Sequence, residues 1–422
     1  MTQARSARGP PRRAPAWATG RGGGGYRVRI AHVSDCFLPR LGGIEMQVND
    51  LTRRQAAAGH HPEVITATPG GPAGAAGADP RVPIHRSGLP IPAEIANNPF
   101  PSRPIRKVLR AGNFDAVHVH AGVGSPFAAA GLRVALDLGL PTVVTVHCLR
   151  PPFRLPLILT PWLDRRLAPG FALTAVSEAA AAPLRERTGV PVTVLPNGLD
   201  PGEWRVAAVD GASEPSAPAG AVGTTPVHAV ATMRLSVRKR PLPLLKIVAA
   251  ARDRLAADRS GVDLRLTVFG DGKLRPRMER YLRREGLTGA VRLAGRIDRA
   301  SLLTEYAAAD LFLAPAFLES FGIAALEARC AGLPVVAMSD TGVTEFVADG
   351  REGLIADGDD GMVEAIVRLA TDQTLRRSIQ RHNRRTEPPT AWATVLTRLD
   401  GEYARAARLA GRPAGSGRSL SH

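Results

Sequence analysis

The chain has 422 residues, a formal net charge of +17 and a hydrophobic fraction of 44%. That length exceeds one ordinary domain and suits two of near-equal size. The best apolar candidate for a membrane span, residues 127–146, is interrupted by Arg133, Asp137 and Pro141, which excludes it. The positive excess lies in the first residues and at 103–110, 275–284 and 376–385 without interleaved aromatics, a distribution that disfavours nucleic acid and leaves anionic lipids or anionic small molecules as partners.

Residues 1–25 are basic but lack the apolar stretch of a secretory signal, so a disordered tail is expected there. From residue 26 short β-rich runs alternate with helical stretches. Strands are expected at 28–34, 63–67, 82–86, 116–120, 142–147, 173–176 and 192–195. A polar segment rich in Ala, Gly, Pro and Ser, 201–225, reads as a linker with a disordered insertion. A second series follows at 227–233, 263–270, 291–294, 311–315, 335–338 and 353–356. The expected architecture is therefore α/β, with Rossmann-like, doubly wound domains at 26–200 and 226–388. Trp392, Val395, Leu396, Leu399 and Tyr403 share one side of a terminal helix at 389–410, and 411–422 reads as a second tail. Cys36, Cys148 and Cys330 are far apart and lack ligand spacing, which points to a reducing cytosol.

Chemistry-bearing residues fall at the ends of these strands. Gly42 and Gly43 follow the first strand, where backbone N–H groups can approach an anion; an ordinary tight turn explains them equally. His118 and His120 alternate along one strand and share a face, and His147 ends the next strand. Arg234 ends the first strand of the second series and Lys239 follows, two cations suited to a diphosphate or to a solvated basic loop. In a chain so rich in arginine, a lysine suggests a need for a compact ammonium. The segment E-S-F-G-I-A-A-L-E, from Glu319 to Glu327, runs from a loop into a helix expected at 321–331 with Ser320 as its cap. The first N–H groups of that helix, those of Phe321, Gly322 and Ile323, suit a phosphate. Glu327 lies roughly 7–8 Å along the axis from Gly322, about the span from a diphosphate to a ribose. Asp357-Gly358-Asp359 looks like a D-x-D metal motif but sits in a Gly-rich turn, so no metal is expected.

The E-x7-E segment, the R-L-x3-K spacing of Arg234 and Lys239, and the Gly-Gly loop together resemble retaining glycosyltransferases of family four with the GT-B fold, over about residues 27–405. The resemblance implies two domains facing each other across a cleft, with the terminal helix crossing back onto the first. It implies that Gly42 and Gly43 meet the donor phosphate and sugar, that His120 sits beside the transferred sugar, that Arg296 and Ile297 pack the base, and that Glu319 and Glu327 contact sugar and ribose. Arg238 and Arg240 fall outside the motif and read as surface. The reaction implied is metal-free front-face transfer without a cofactor, from a nucleotide-diphosphate sugar (GDP-mannose favoured) to a lipid or glycan acceptor. A UDP-sugar enzyme making a polysaccharide or small glycoside is the alternative, and a nucleotide-sugar or nucleic-acid binding protein the non-enzymatic one. Arg103, Arg106, Lys107 and Arg110 flank apolar Ile105, Val108 and Leu109 on a short helix, an arrangement that suits peripheral docking on an anionic membrane from the cytoplasm and equally an ordinary solvated helix of the first domain.

Overall fold

The computed structural model describes residues 27–40, 42–70, 77–88, 101–122, 124–149, 170–205 and 225–411. The tails, most of the 201–225 insertion and the intervening stretches lie outside the described residues. In the first domain the elements are β1 (Arg29–Ser34), α1 (Gly43–Ala57), β2 (His61–Thr66), β3 (Ile84–Arg86), α2 (Ser102–Ala111), β4 (Ala116–Ala121), α3 (Pro126–Asp137), β5 (Thr142–Val146), β6 (Ala172–Ala175), α4 (Glu178–Thr188) and β7 (Val192–Val194). The second domain holds β8 (Thr225–Thr232), α5 (Pro241–Ala257), β9 (Val262–Phe269), α6 (Arg275–Arg284), β10 (Val291–Gly295), α7 (Arg299–Ala307), β11 (Leu311–Ala314), α8 (Ile323–Cys330), β12 (Val335–Met338), β13 (Gly353–Ala356), α9 (Gly358–Thr371) and α10 (Gln373–Arg385), followed by α11 (Trp392–Ala410).

The strands form two parallel sheets, ordered β3-β2-β1-β4-β5-β6-β7 and β10-β9-β8-β11-β12-β13. Each order turns back at its first strand, so each sheet has its switch-point crevice at the carboxyl ends of its strands. All thirteen expected strands form, with ends shifted by one or two residues. Alternation along the strands divides the first sheet into two buried faces. Val33, Val117, Val119, Val144 and Leu173 face α2, α3 and α4. Ile30, Ala116, Val143 and Ala172 instead meet α11 through Trp392, Val395, Leu399 and Tyr403. The terminal helix thus returns to the first domain, tied at its start by Leu199 N–H to Thr390 O at 3.0 Å.

Two expectations change here. Residues 201–205 do not begin a disordered linker: Pro201–Glu203 form a short 3-10 turn, and Trp204 is buried beside the Tyr306 ring at 6.0 Å. A large indole gains too much from burial to remain in a solvated linker. The apolar side of α2 is likewise committed to the interior. Ile105 and Leu109 are 0% exposed in the core shared with α3, each burial contributing about 1.5–3 kcal/mol. Arg106 pairs with Asp137 at 2.6 Å. Only a basic face, Arg103, Lys107 and Arg110, remains exposed. Elsewhere the charge is also structural: buried Arg376 donates to Leu369 O at 2.6 Å and Ala370 O at 3.0 Å, closing the end of α9.

Candidate active site

The carboxyl ends of the two sheets meet, and their loops touch across the junction. Ser320 Oγ donates to the carbonyl of His147 at 2.7 Å, joining the second domain to the first. A Cβ built on Gly42 would lie 3.0 Å from Arg234 Nη2, and one on Gly43 would lie 3.9 Å from Ile323 Cδ1. The Gly-Gly loop, Arg234 and the start of α8 are therefore gathered at one place. Gly42 itself is extended, at φ −177°, so it is close approach and not an unusual backbone angle that favours glycine there.

On the second domain, Lys239 Nζ forms an ion pair with Glu319. The two residues reach each other because β8 and β11 are neighbours, so their carboxyl-terminal loops run side by side. Ser320 is not the cap of α8. Its hydroxyl is taken by His147, and the N-cap position is held by Gly322 at φ +87°. A Cβ there would also lie 2.6 Å from Val343 Cγ2. The left-handed angle and the close packing both demand glycine, while the helix retains the unsatisfied N–H groups that suit an anion. Phe321 packs its ring inward on Phe346 at 5.4 Å, so its contribution to the cleft is its backbone.

Glu327 projects from α8 toward charges that the sequence reading did not single out. Burial pushes its carboxyl up to about 8, opposed by Arg299 and reinforced by Asp50. Arg299 stacks over Trp204 at 4.7 Å and pairs with Glu203 at 2.8 Å. Arg296 is exposed and Ile297 half-buried on the loop before α7, on the same crevice side. Arg240, expected at the surface, is instead held: it donates to both carboxylate oxygens of Asp359 at 2.8 Å and to Pro315 O at 2.9 Å. Its guanidinium also lies 3.9 Å from the Phe317 ring centre. Asp359 thus serves an ion pair at the start of α9. Arg238 donates to Leu318 O at 3.0 and 3.1 Å.

The first domain offers a contrasting surface. Strand register sets His32 opposite His118, and His120 opposite Thr145, so all four project to the α11 side of the sheet. His147 then lies two residues nearer the cleft than the partner of His120. His120 stands near the carboxyl end of β4, two residues nearer the cleft than His118. It is 2% exposed, with Nε2 at 3.0 Å from His32 Nδ1 and Nδ1 at 3.1 Å from His147 Nε2, so both ring nitrogens are engaged inside the domain. His32, Gln55 and Tyr403 were missed; the alternation of His32 with Ile30 in β1 was the available signal. Burial lowers His32 and His147 to about 4 and drives His118 and His120 well below the usual imidazole range. All four are neutral at pH 7. Nitrogens of His32, His118 and His120 lie within 4.8 Å of one another, yet all six have hydrogen-bond partners. The cluster is a hydrogen-bonded line and not a preformed set of open metal ligands.

Comparison with known proteins agrees with this geometry. A family model described as Glycosyltransferase Family 4 matches residues 41–203, and one described as Glycosyl transferases group 1 matches residues 227–372. A phosphatidyl-myo-inositol mannosyltransferase of Mycolicibacterium smegmatis is 28% identical, covering 83% of this chain and 86% of its own length. A GDP-mannose-dependent alpha-mannosyltransferase of the same organism is 27% identical, covering 89% and 97%. Among solved structures, a sucrose-phosphate synthase from Thermosynechococcus elongatus superposes with a TM-score of 0.68 at 19% identity, covering 90% of this chain and 99% of that one. With its two facing Rossmann-like domains, the chain is a glycosyltransferase of GT-B fold and belongs to the family 4 group.

Proposed function

We propose that the chain transfers a hexose from a nucleotide-diphosphate sugar, GDP-mannose being the favoured donor, to a lipid or glycan acceptor with retention of anomeric configuration. The observation that carries this reading is the convergence of Arg234, the Lys239–Glu319 pair and the start of α8 on one point of the cleft. Charge develops on the leaving diphosphate as the C1–O bond breaks, and fixed cations and helix N–H groups stabilise that charge without reorganising. The acceptor oxygen bonds to C1 on the face the phosphate leaves, and a phosphate oxygen takes the acceptor's proton. The products are a glycoside and a nucleoside diphosphate. Glu319 orients sugar hydroxyls, Glu327 accepts from ribose hydroxyls, and Arg296 with Ile297 flank the base. Gly42 and Gly43 let the backbone approach the donor. No metal has a role in this scheme.

The two mannosyltransferase relatives support the choice of donor and of a lipid acceptor. No described helix is long and apolar enough to cross a membrane. The exposed basic face of α2, Arg103, Lys107 and Arg110, supports meeting a lipid acceptor at an anionic surface, with the enzyme working from the cytoplasm. A thermal-shift screen of GDP- and UDP-sugars, followed by anomeric NMR of the product, tests the reading. Selective stabilisation by GDP-mannose and an α-linked product are expected. Stabilisation by UDP-sugars alone, or inversion at C1, would overturn the donor or the mechanism.

A further inference from the structure

The buried polar line of the first domain has one end whose direction is fixed by covalent structure. A backbone carbonyl only accepts, so Thr174 Oγ1 must donate to Val144 O, 3.1 Å away. Thr174 has no second hydrogen, so Thr145 Oγ1 donates to it at 2.7 Å. Thr145 is then spent as a donor, and His118 Nε2–H must donate to it at 2.7 Å. Because His118 is buried and neutral, its Nδ1 is an acceptor, filled by the Tyr403 O–H at 3.2 Å. Tyr403 in turn accepts from Gln55 Nε2 at 3.2 Å, which turns Gln55 Oε1 toward His32 Nε2–H at 2.7 Å. His32 Nδ1 then accepts from His120 Nε2–H, and His120 Nδ1 from His147 Nε2–H. Every step leaves one choice.

We propose that this line, anchored at Val144 O, fixes the tautomer of His147 so that its unprotonated Nδ1 accepts a hydrogen bond from a hydroxyl of the bound sugar, with Tyr403, Gln55, His32 and His120 as positioning residues. His147 is the member of the line at the cleft: it follows the carboxyl end of β5, is 8% exposed, and its carbonyl already holds Ser320 of the opposite domain. Its Nδ1 has no partner among the described residues. The line also gives the returning helix α11 a role beyond packing, since Tyr403 joins His118, on the threonine side, to Gln55. A hydrogen-bonded chain in a dry interior is strong when every member is satisfied and degenerate when one is removed.

The inference rests on the sugar-transfer reading of the cleft, and its test separates the two. Full-length protein labelled with ¹⁵N-histidine is observed by long-range proton–nitrogen NMR, alongside steady-state transfer kinetics. In the wild type His32, His118, His120 and His147 are expected to carry Nε2–H alone. Nδ1–H on any of them would overturn the line, whatever the activity. Tyr403→Phe and Thr145→Val each remove one link with little change in shape. Mixed tautomers at His147 and a kcat lower by about tenfold, with donor KM within about twofold, are expected from one lost orienting hydrogen bond. A lower kcat with unchanged tautomers, or changed tautomers with unchanged kcat, would overturn the positioning role. Should both variants fail to fold, the wild-type pattern decides. A wild-type protein with the expected tautomers and no transfer to any acceptor sinks the sugar-transfer reading instead.

Discussion

The two walls of the cleft solve opposite electrostatic problems with opposite materials. The second domain presents Arg234, Lys239 paired with Glu319, Glu327 opposed by Arg299, and a helix start. The first presents imidazoles that burial keeps neutral, linked only to hydroxyls, amides and one another. On the proposed function, the cations would stand where a diphosphate departs and the neutral imidazoles where sugar hydroxyls are oriented. The difference teaches that the wall bearing the nucleotide should respond to pH and to charge removal, while the other should respond to the loss of single hydrogen bonds.

The largest break in this contrast is expected from the cations. Lys239→Ala and Arg234→Ala should each lower kcat by about 100-fold or more, the scale of a lost transition-state charge contact, as measured by nucleoside diphosphate release. EDTA should leave wild-type turnover unchanged. The pH dependence of binding comes next. With the Glu327 carboxyl raised to about 8, the ligand-free protein holds it protonated at pH 7, whereas ribose hydroxyls favour the carboxylate. Nucleoside diphosphate affinity should therefore rise with pH, by up to about tenfold per unit below 8, and level off above it. Glu327→Gln should flatten this titration profile. The histidine wall adds nothing in that window, because its imidazoles are already neutral.

Smaller effects sharpen the geometry. Gly322→Ala forces a Cβ to 2.6 Å from Val343 Cγ2 at φ +87°; a loss of about 1–3 kcal/mol in urea unfolding is expected. The smallest concerns α2. With its apolar side buried, docking would be electrostatic alone, about 1 kcal/mol for each of Arg103, Lys107 and Arg110. Wild type should sediment with anionic vesicles at low salt and release as salt rises, and the triple serine variant should not sediment.

Much of this was legible in the sequence because strand periodicity and loop glycines are local signals. The thirteen strands, the crossing helix and the grouping of Gly42, Gly43, Arg234, Lys239 and Glu319 needed only alternation, spacing and the family resemblance. What could not be read depended on register and on packing between distant segments. His120 reads as a strand-end histidine, and only the tertiary structure shows its ring nitrogens joined to His32 and His147. Ser320 has the chemistry of a cap, yet its hydroxyl serves the other domain. The apolar side of α2 could have met a membrane or α3, and only the tertiary structure chooses. Gln55 and Tyr403, 348 positions apart, are joined by a hydrogen bond to which no local pattern points.

The division between the walls is tested most directly by comparing Glu327→Gln with His147→Ala in one titration calorimeter and one transfer assay. Loss of the ribose acceptor should weaken GDP binding by about tenfold, near 1.4 kcal/mol, as for a buried hydrogen bond left incomplete. His147→Ala should leave GDP affinity unchanged and lower only kcat. Equal loss of GDP affinity in the two variants would contradict the account.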